Sequence, residues 1–371
     1  MQEARLLERA IGEAGRLVAV EPFGEGSIAR FTVDAGENAG EWFVDTSRQA
    51  VPRETGFVVR GTEGLVARIW RHPLDPRLPS LRTAVDPVKL ARIAAAAGTS
   101  GEIEARVLAY RPGRRAVVRL TQHGVHLFVK VVRPSEAESL VDIHDACRAA
   151  DVPAPEVVHW SPAGIVVVPD AEGTAGPVAA ARTSPDALLD AVDDLRERFL
   201  AVDTTRIARA SVGTRLEWHL ERIAAALPDR RGEVAELLPA LAPHVRRIGP
   251  PRSVHGDLHI GQLFFTGPRV SSVIDVDTAG LGDPADDAAA FVGHALASAA
   301  RNAAAGRDGD AAVLEGIAAE AGERWLRDPH ATALTSLHLL AHGIRAAERS
   351  PEAAHRLVDR ARELVRDRVG R

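Results

Sequence analysis

One island of strand-like sequence, residues 253–287, interrupts a half-chain that otherwise reads as helical from about residue 183 onward. It runs SVHGDLHIGQLFFTGPRVSSVIDVDTAGLGDPADD. Two acidic clusters lie in it, each on a loop beside an apolar run. The first is His255-Gly256-Asp257, with Gln262 five residues after the aspartate; the second is Asp275-Val276-Asp277, directly after Ser272-Val273-Ile274. The runs Leu263–Phe265 and Val270–Val276 predict two strands, and Thr266-Gly267-Pro268-Arg269 predicts a hairpin between them. Such a hairpin brings the clusters together. One aspartate is then placed to orient a nucleophile, and an amide with a second aspartate to hold a divalent cation. Phosphoryl transfer needs little more, because its catalysis is mostly positioning and charge stabilisation.

The rest of the chain predicts strands first and helices after. Residues 1–19 carry Leu6, Leu7, Ile11 and Leu17 at roughly helical spacing and predict a helix. The runs Ser27–Val33, Glu41–Asp45, Thr55–Arg60 and Gly64–Trp70 predict a small, mostly antiparallel sheet. Residues 71–79, with three prolines, predict a linker or strap, and a helix follows at about 86–98. Three further strands, Ile103–Tyr110, Ala116–Thr121 and His126–Val132, are joined by turns at 111–115 and 122–124. A helix over Ser135–Ala150 opens on Pro134, and strands at Glu156–Trp160 and Gly164–Val168 come after it. Predicted helices then cover 184–202, 211–227, 231–247, 284–304, 309–327, 330–348 and 351–368. The domain boundaries expected are 1–99 for an N-terminal cap, 100–170 for a five-stranded lobe and 171–371 for a helical lobe.

Composition excludes some function classes. With 46% hydrophobic and 26% charged residues the chain is of ordinary globular composition. A net charge of −5 and a pI of about 6.3 support neither a nucleic-acid partner nor an anionic membrane. The single cysteine, Cys147, rules out an intramolecular disulfide and reads as a small core residue. The amphipathic N-terminus is unlike a signal peptide, no apolar run is long enough to span a membrane, and a cytoplasmic location is expected. Of 46 Lys and Arg residues only Lys89 and Lys130 are lysine. Lys89 lies on an amphipathic helix and reads as a solvated residue. Lys130 sits in the apolar run Phe128-Val129-Lys130-Val131-Val132, where an ammonium needs a partner or a bound anion unless it lies on an exposed face.

A five-stranded lobe with a lysine on its third strand, followed by a helical lobe with an aspartate loop, resembles the layout of a protein-kinase-like fold. His255-Gly256-Asp257-Leu258-His259-Ile260-Gly261-Gln262 resembles the HxDxxxxN catalytic loop of that superfamily. Ile274-Asp275 followed by Gly282-Asp283-Pro284 and Asp287 is similar to the metal loop of its small-molecule branch. That branch contains aminoglycoside phosphotransferases, choline kinases and actinobacterial sugar kinases such as maltokinase. The resemblance implies an α+β bilobal fold with a five-stranded N-lobe, a helical C-lobe and, as in maltokinase-like proteins, an extra N-terminal β-rich cap.

It also implies roles. Asp257 would accept or orient the proton of the acceptor hydroxyl. Asp275 and Gln262 would hold Mg²⁺; asparagine is usual at the second position, and maltokinase-like enzymes use glutamine there. Lys130 would bind the α- and β-phosphates of ATP and pair with Glu138 or Glu136 on the following helix. The 111–115 turn would lie over the phosphates, with Arg114 or Arg115 giving charge in place of glycines. Backbone groups from Val168 to Asp170 would meet the adenine. His255 is expected to hold the loop by packing and hydrogen bonding and Asp283 to cap a helix; of Trp218 and His219, which could border a sugar site, one is expected to be core. The function expected is ATP- and Mg²⁺-dependent phosphorylation of a hydroxyl on a small polar molecule, a sugar or amino sugar. An aminoglycoside or other antibiotic is the alternative acceptor. A nucleotide-binding, pseudokinase-like regulator is the alternative class.

Overall fold

A computed structural model of the chain describes every residue except Met1, Glu63, Ser100, Arg247, Ile248 and 369–371. The first residue of the predicted 1–19 helix, the first of the 100–170 lobe and the last of the 231–247 helix therefore lie outside the described residues. The chain divides into two compact units: residues 1–142 with 156–170, and residues 143–155 with 171–371.

The first unit holds two antiparallel sheets and the helices α1 (Gln2–Ile11), α2 (Leu81–Ala84) and α3 (Pro87–Ala96). Strands β1 (Arg16–Phe23), β2 (Gly26–Val33), β3 (Gly40–Asp45), β4 (Phe57–Gly61) and β5 (Gly64–Arg71) pair in the order β1-β2-β3-β5-β4. The helix predicted over 1–19 is thus half strand. Gly12, at φ 75°, ends the helix, and Leu17, Val18 and Val20 belong to an edge strand that leaves them exposed. Leu7 of α1 packs with Phe31, Trp42, Val44 and Ile69 of the sheet.

Strands β6 (Glu104–Arg111), β7 (Arg115–Gln122), β8 (Val125–Val131), β9 (His159–Ser161) and β10 (Ile165–Pro169) form the second sheet, in the order β6-β7-β8-β10-β9. Leu81, Leu90 and Ile93 of α2 and α3 pack on Val118, Leu120, Val129, Val131 and Val167. Side chains alternate across a strand, so Arg115, Val117, Lys130, Val166 and Val168 project from the opposite face. Helix α4 (Pro134–Ala149) follows β8 and crosses the division between the units.

In the second unit the short strand β11 (Thr174–Ala175) precedes α5 (Gly176–Ala180), α6 (Pro185–Leu200) and α7 (Leu216–Ala226). The predicted 211–227 helix begins as a 3₁₀ turn over Val212–Arg215. The helix predicted over 231–247 is broken into α8 (Arg231–Ala235), α9 (Leu237–Leu241) and a 3₁₀ turn. Pro239 and Pro243 lack the N–H that a continuous helix would use. Strands β12 (Arg252–Val254), β13 (Leu263–Thr266), β14 (Arg269–Val273) and β15 (Gly280–Gly282) come next, with β13 and β14 forming the expected hairpin. The chain closes with α10 (Pro284–Ala304), α11 (Asp308–Trp325), α12 (Pro329–Ala347) and α13 (Pro351–Arg368). Helices α6, α10 and α12 each start with a Ser or Asp cap followed by proline: Ser184, Asp283 and Asp328 accept backbone N–H bonds from Ala187, Ala285 and Ala331. A capping oxygen and a residue with φ already fixed define where each helix begins. Helix α12 is buried almost all round, and α10, α7 and α13 pack around it.

Candidate active site

The loop after β12 carries His255, Gly256 and Asp257, and Asp287 in the first turn of α10 fixes it. The Asp287 carboxylate accepts from His255 N at 2.8 Å and from Gly256 N at 2.8 Å. Asp287 is buried; burial pushes its carboxyl up, opposed by His255 and by these two bonds. Gly256 has φ 81°, and a Cβ there would lie 2.5 Å from the Thr278 carbonyl oxygen. Only glycine allows the two loops to approach this closely.

His255 joins the two acidic clusters. Its buried ring donates from Nε2 to the Ile274 carbonyl at 3.1 Å and stands edge-on to Phe199. Thr278 Oγ1 donates to His255 O at 2.8 Å. Asp275 adopts φ 60°, ψ 33°, a left-handed conformation that aspartate tolerates better than most residues. The strand predicted to run to Val276 consequently stops at Val273, and a 3₁₀ turn over Val276–Thr278 follows. Gln262 is buried; its Oε1 accepts from His259 N at 3.2 Å while His259 Nδ1 accepts from Gly261 N. One lone pair of the amide oxygen is thereby engaged and a second remains.

Asp257 is half-buried between Arg209 and His294. Arg209 Nη1 lies 2.6 Å from Oδ2, and His294 Nε2 lies 3.7 Å from Oδ1. Burial alone would raise this carboxyl; the hydrogen bond from His294 and the Arg209 charge outweigh it and hold Asp257 well below the usual carboxylate range. The His259 ring stacks on His294 at 4.2 Å, and burial lowers the His259 imidazole to about 3. Arg209 is carried on a segment that runs along the second cluster: Arg209 N donates to Thr278 O, and the Arg206 guanidinium to Asp277 O at 2.5 Å. Asp283 caps α10 as expected and also accepts from His330 Nε2 at 2.8 Å. Trp218 is largely exposed while its neighbour His219 is buried.

The structure brings Asp257, Gln262 and Asp275 onto linked loops of the second unit. Lys130, Glu138, Arg115, Val168 and Asp170 lie in the first unit. Lys130, 8% exposed, is registered opposite Val117 and Val166, so Arg115, Lys130 and Val168 share one sheet face. Asp170 is exposed, and its N–H donates to His126 O. On α4, Glu138 is exposed, while Glu136 pairs with Arg133. The 111–115 turn is gripped by the proline strap: Gly113 N and Tyr110 Oη donate to the buried Asp75 at 2.7 and 2.9 Å. Arg114 stacks over Phe23. Arg209 and His294 escape sequence reasoning, since each lies far along the chain from Asp257 and carries no motif.

A linked pair of acidic loops in a helical unit, following a five-stranded sheet with one buried lysine, defines a phosphotransferase of the kinase-like α+β class. The chain belongs to the phosphotransferase enzyme family, whose model matches residues 106–334, more than half of its 371 residues. It is therefore a small-molecule kinase; β1–β5 and α1–α3 precede the matched region. Among solved structures, aminoglycoside phosphotransferase APH(4)-Ia has 15% identity and a TM-score of 0.50, with 76% of this chain and 98% of that chain covered. The similarity to it is one of fold. Macrolide 2'-phosphotransferase MphH from Brachybacterium faecium has 21% identity over 76% of this chain and 98% of that chain, with a TM-score of 0.43. A ternary complex of an APH(4)-Ia variant with ADP and hygromycin B has 14% identity over 76% and 98%, with a TM-score of 0.49. No curated protein matches the chain. Among the described residues no helix is long and apolar enough to cross a membrane.

Proposed function

We propose that this kinase transfers the γ-phosphoryl group of ATP to a hydroxyl of a sugar or amino sugar. The observation that carries the reading is the Asp257 carboxylate, held ionised on a loop that His255 ties directly to the Asp275 loop. A weakly basic carboxylate suits a loose phosphoryl-transfer transition state, in which orienting the hydroxyl matters more than removing its proton early. Arg209 would release Oδ2 as the hydroxyl arrives, leaving His294 to hold Oδ1. Gln262 and Asp275 offer the hard oxygen donors that Mg²⁺ takes; when bound, the ion neutralises charge on the nucleotide phosphates. On the sheet face shared with Arg115 and Val168, Lys130 would bind the α- and β-phosphates, and the backbone from Val168 to Asp170 would meet the adenine. Glu138 would orient Lys130, since Glu136 is engaged by Arg133.

The surroundings of Asp257 favour a sugar over an aminoglycoside. Arg209, His259 and His294 adjoin the carboxylate, and a polycation would meet the Arg209 charge at the reacting centre. The test is Mg·ATP consumption across a panel of neutral sugars, amino sugars and aminoglycosides. Turnover with a sugar or amino sugar is expected. Turnover with aminoglycosides alone would reverse the choice of acceptor, and tight ATP binding without turnover on any acceptor would favour a regulator.

A further inference from the structure

We propose that His294, His338 and His342 form a binding site for a divalent transition-metal ion of the zinc class. His294 lies on α10. His338 and His342 lie one turn apart on α12, a spacing that sets two side chains on one helix stripe. One ring nitrogen from each of the three lies within 4.8 Å of the others. The His294 and His342 rings are 4.3 Å apart and nearly perpendicular; His294 and His338 are 6.3 Å apart. Gly293 makes the approach possible, because a Cβ there would come within 2.6 Å of His338 Cβ.

The donor chemistry selects the ion. Imidazole nitrogen is the commonest protein ligand for transition metals and binds them in its neutral form. Three imidazole nitrogens suit zinc, cobalt or nickel, whereas Mg²⁺ takes oxygen. The cluster is thus chemically separate from the Gln262 and Asp275 oxygens. No hydrogen bond among the described residues uses a ring nitrogen of His338 or His342. His294 turns Nε2 toward the Asp257 carboxylate, and a metal-ligating histidine characteristically gives its second nitrogen to a carboxylate. In a tetrahedral zinc site with bonds of about 2.0–2.1 Å the nitrogens stand about 3.4 Å apart, so the rings close by up to about 1.4 Å on binding the ion. Three protein ligands leave a fourth position open. Arg301 and Arg345 bear on His342 and oppose a dication, while Asp257 offsets them.

The test is metal uptake by the full chain, without ATP or acceptor, so that its outcome is independent of the phosphotransferase reading. Chelator-stripped protein is titrated with Co²⁺ alone and followed by visible absorption, and Zn²⁺ content is measured after dialysis. One ion per chain is expected, with cobalt bands of a four-coordinate nitrogen-rich site. His338→Asn and His342→Asn should each weaken uptake by more than about tenfold, while His123→Ala, on an exposed turn, should leave it unchanged. Should a histidine variant fail to fold, crystals of the unaltered chain grown with Zn²⁺ give the same answer: an anomalous peak between α10 and α12 is expected. No uptake, uptake that persists in folded His338→Asn and His342→Asn, or a peak elsewhere overturns the proposal.

Discussion

At the scale of single residues the site depends on which protonation state each group holds. Asp257 stays ionised because Arg209 and His294 outweigh its burial. Asp257→Asn keeps the shape but removes the charge that orients the hydroxyl, and should lower kcat by about 10²–10⁴ with little change in KM for ATP. Near-normal turnover would sink the role assigned to Asp257. His330 allows a test by pH. Its Nδ1 faces the His244 carbonyl at 2.6 Å and its Nε2 faces Asp283 at 2.8 Å, two acceptors that an imidazolium satisfies with two donors. The Asp283 bond raises the His330 pKa, against the effect of burial. A raised histidine stabilises the fold fully below its unfolded pKa of about 6.5, and that contribution is lost as pH rises through the folded value. His330→Gln should therefore lower the melting temperature more at pH 6 than at pH 9. An equal loss at both pH values would contradict the imidazolium.

At the scale of elements, two contacts join helices to the site. Asp287 ties α10 to the catalytic loop through the His255 and Gly256 amides. Asp287→Ala leaves both donors unmet near the core, at about 1–3 kcal/mol each, and removes a buried carboxylate whose own desolvation was unfavourable. The sum should fall in the lower half of about 2–6 kcal/mol, read by urea unfolding, with activity lost alongside. Gly293 sets the spacing of α10 and α12. Alanine there gains about 1 kcal/mol of helix propensity but places a Cβ 2.6 Å from another Cβ that cannot swing away. Overpacking of this kind costs about 1–3 kcal/mol, so Gly293→Ala should melt lower, and a higher melting temperature would show that the helices part freely.

At the scale of the whole molecule, the nucleotide should couple to stability. A ligand that binds only the folded chain stabilises it by about 2.7 kcal/mol at a hundred times its Kd. Mg·ATP should raise the melting temperature accordingly, and Lys130→Ala should remove most of the gain at equal ATP. An undiminished shift in that variant would displace Lys130 from the phosphate role.

Much of this molecule is set by local chemistry and is legible in the chain. The His255–Gln262 and Asp275 loops, the β13–β14 hairpin and the starts of α6, α10, α12 and α13 follow from turn residues, capping oxygens and prolines acting within a few positions. The boundaries that went elsewhere did so for local reasons too: Gly12 ends α1 early, Pro239 and Pro243 break the 231–247 helix, and Asp275 turns out of its strand. Tertiary structure decided what distance along the sequence conceals. Arg209 and His294 reach Asp257 from 48 and 37 positions away. Asp75 grips the 111–115 turn from the proline strap. His338 and His342 stand one turn apart on α12, and only the packing of α10 on α12 sets His294 beside them. A motif records which groups a reaction needs; the charges and rings around those groups come from whichever elements the core packs against them.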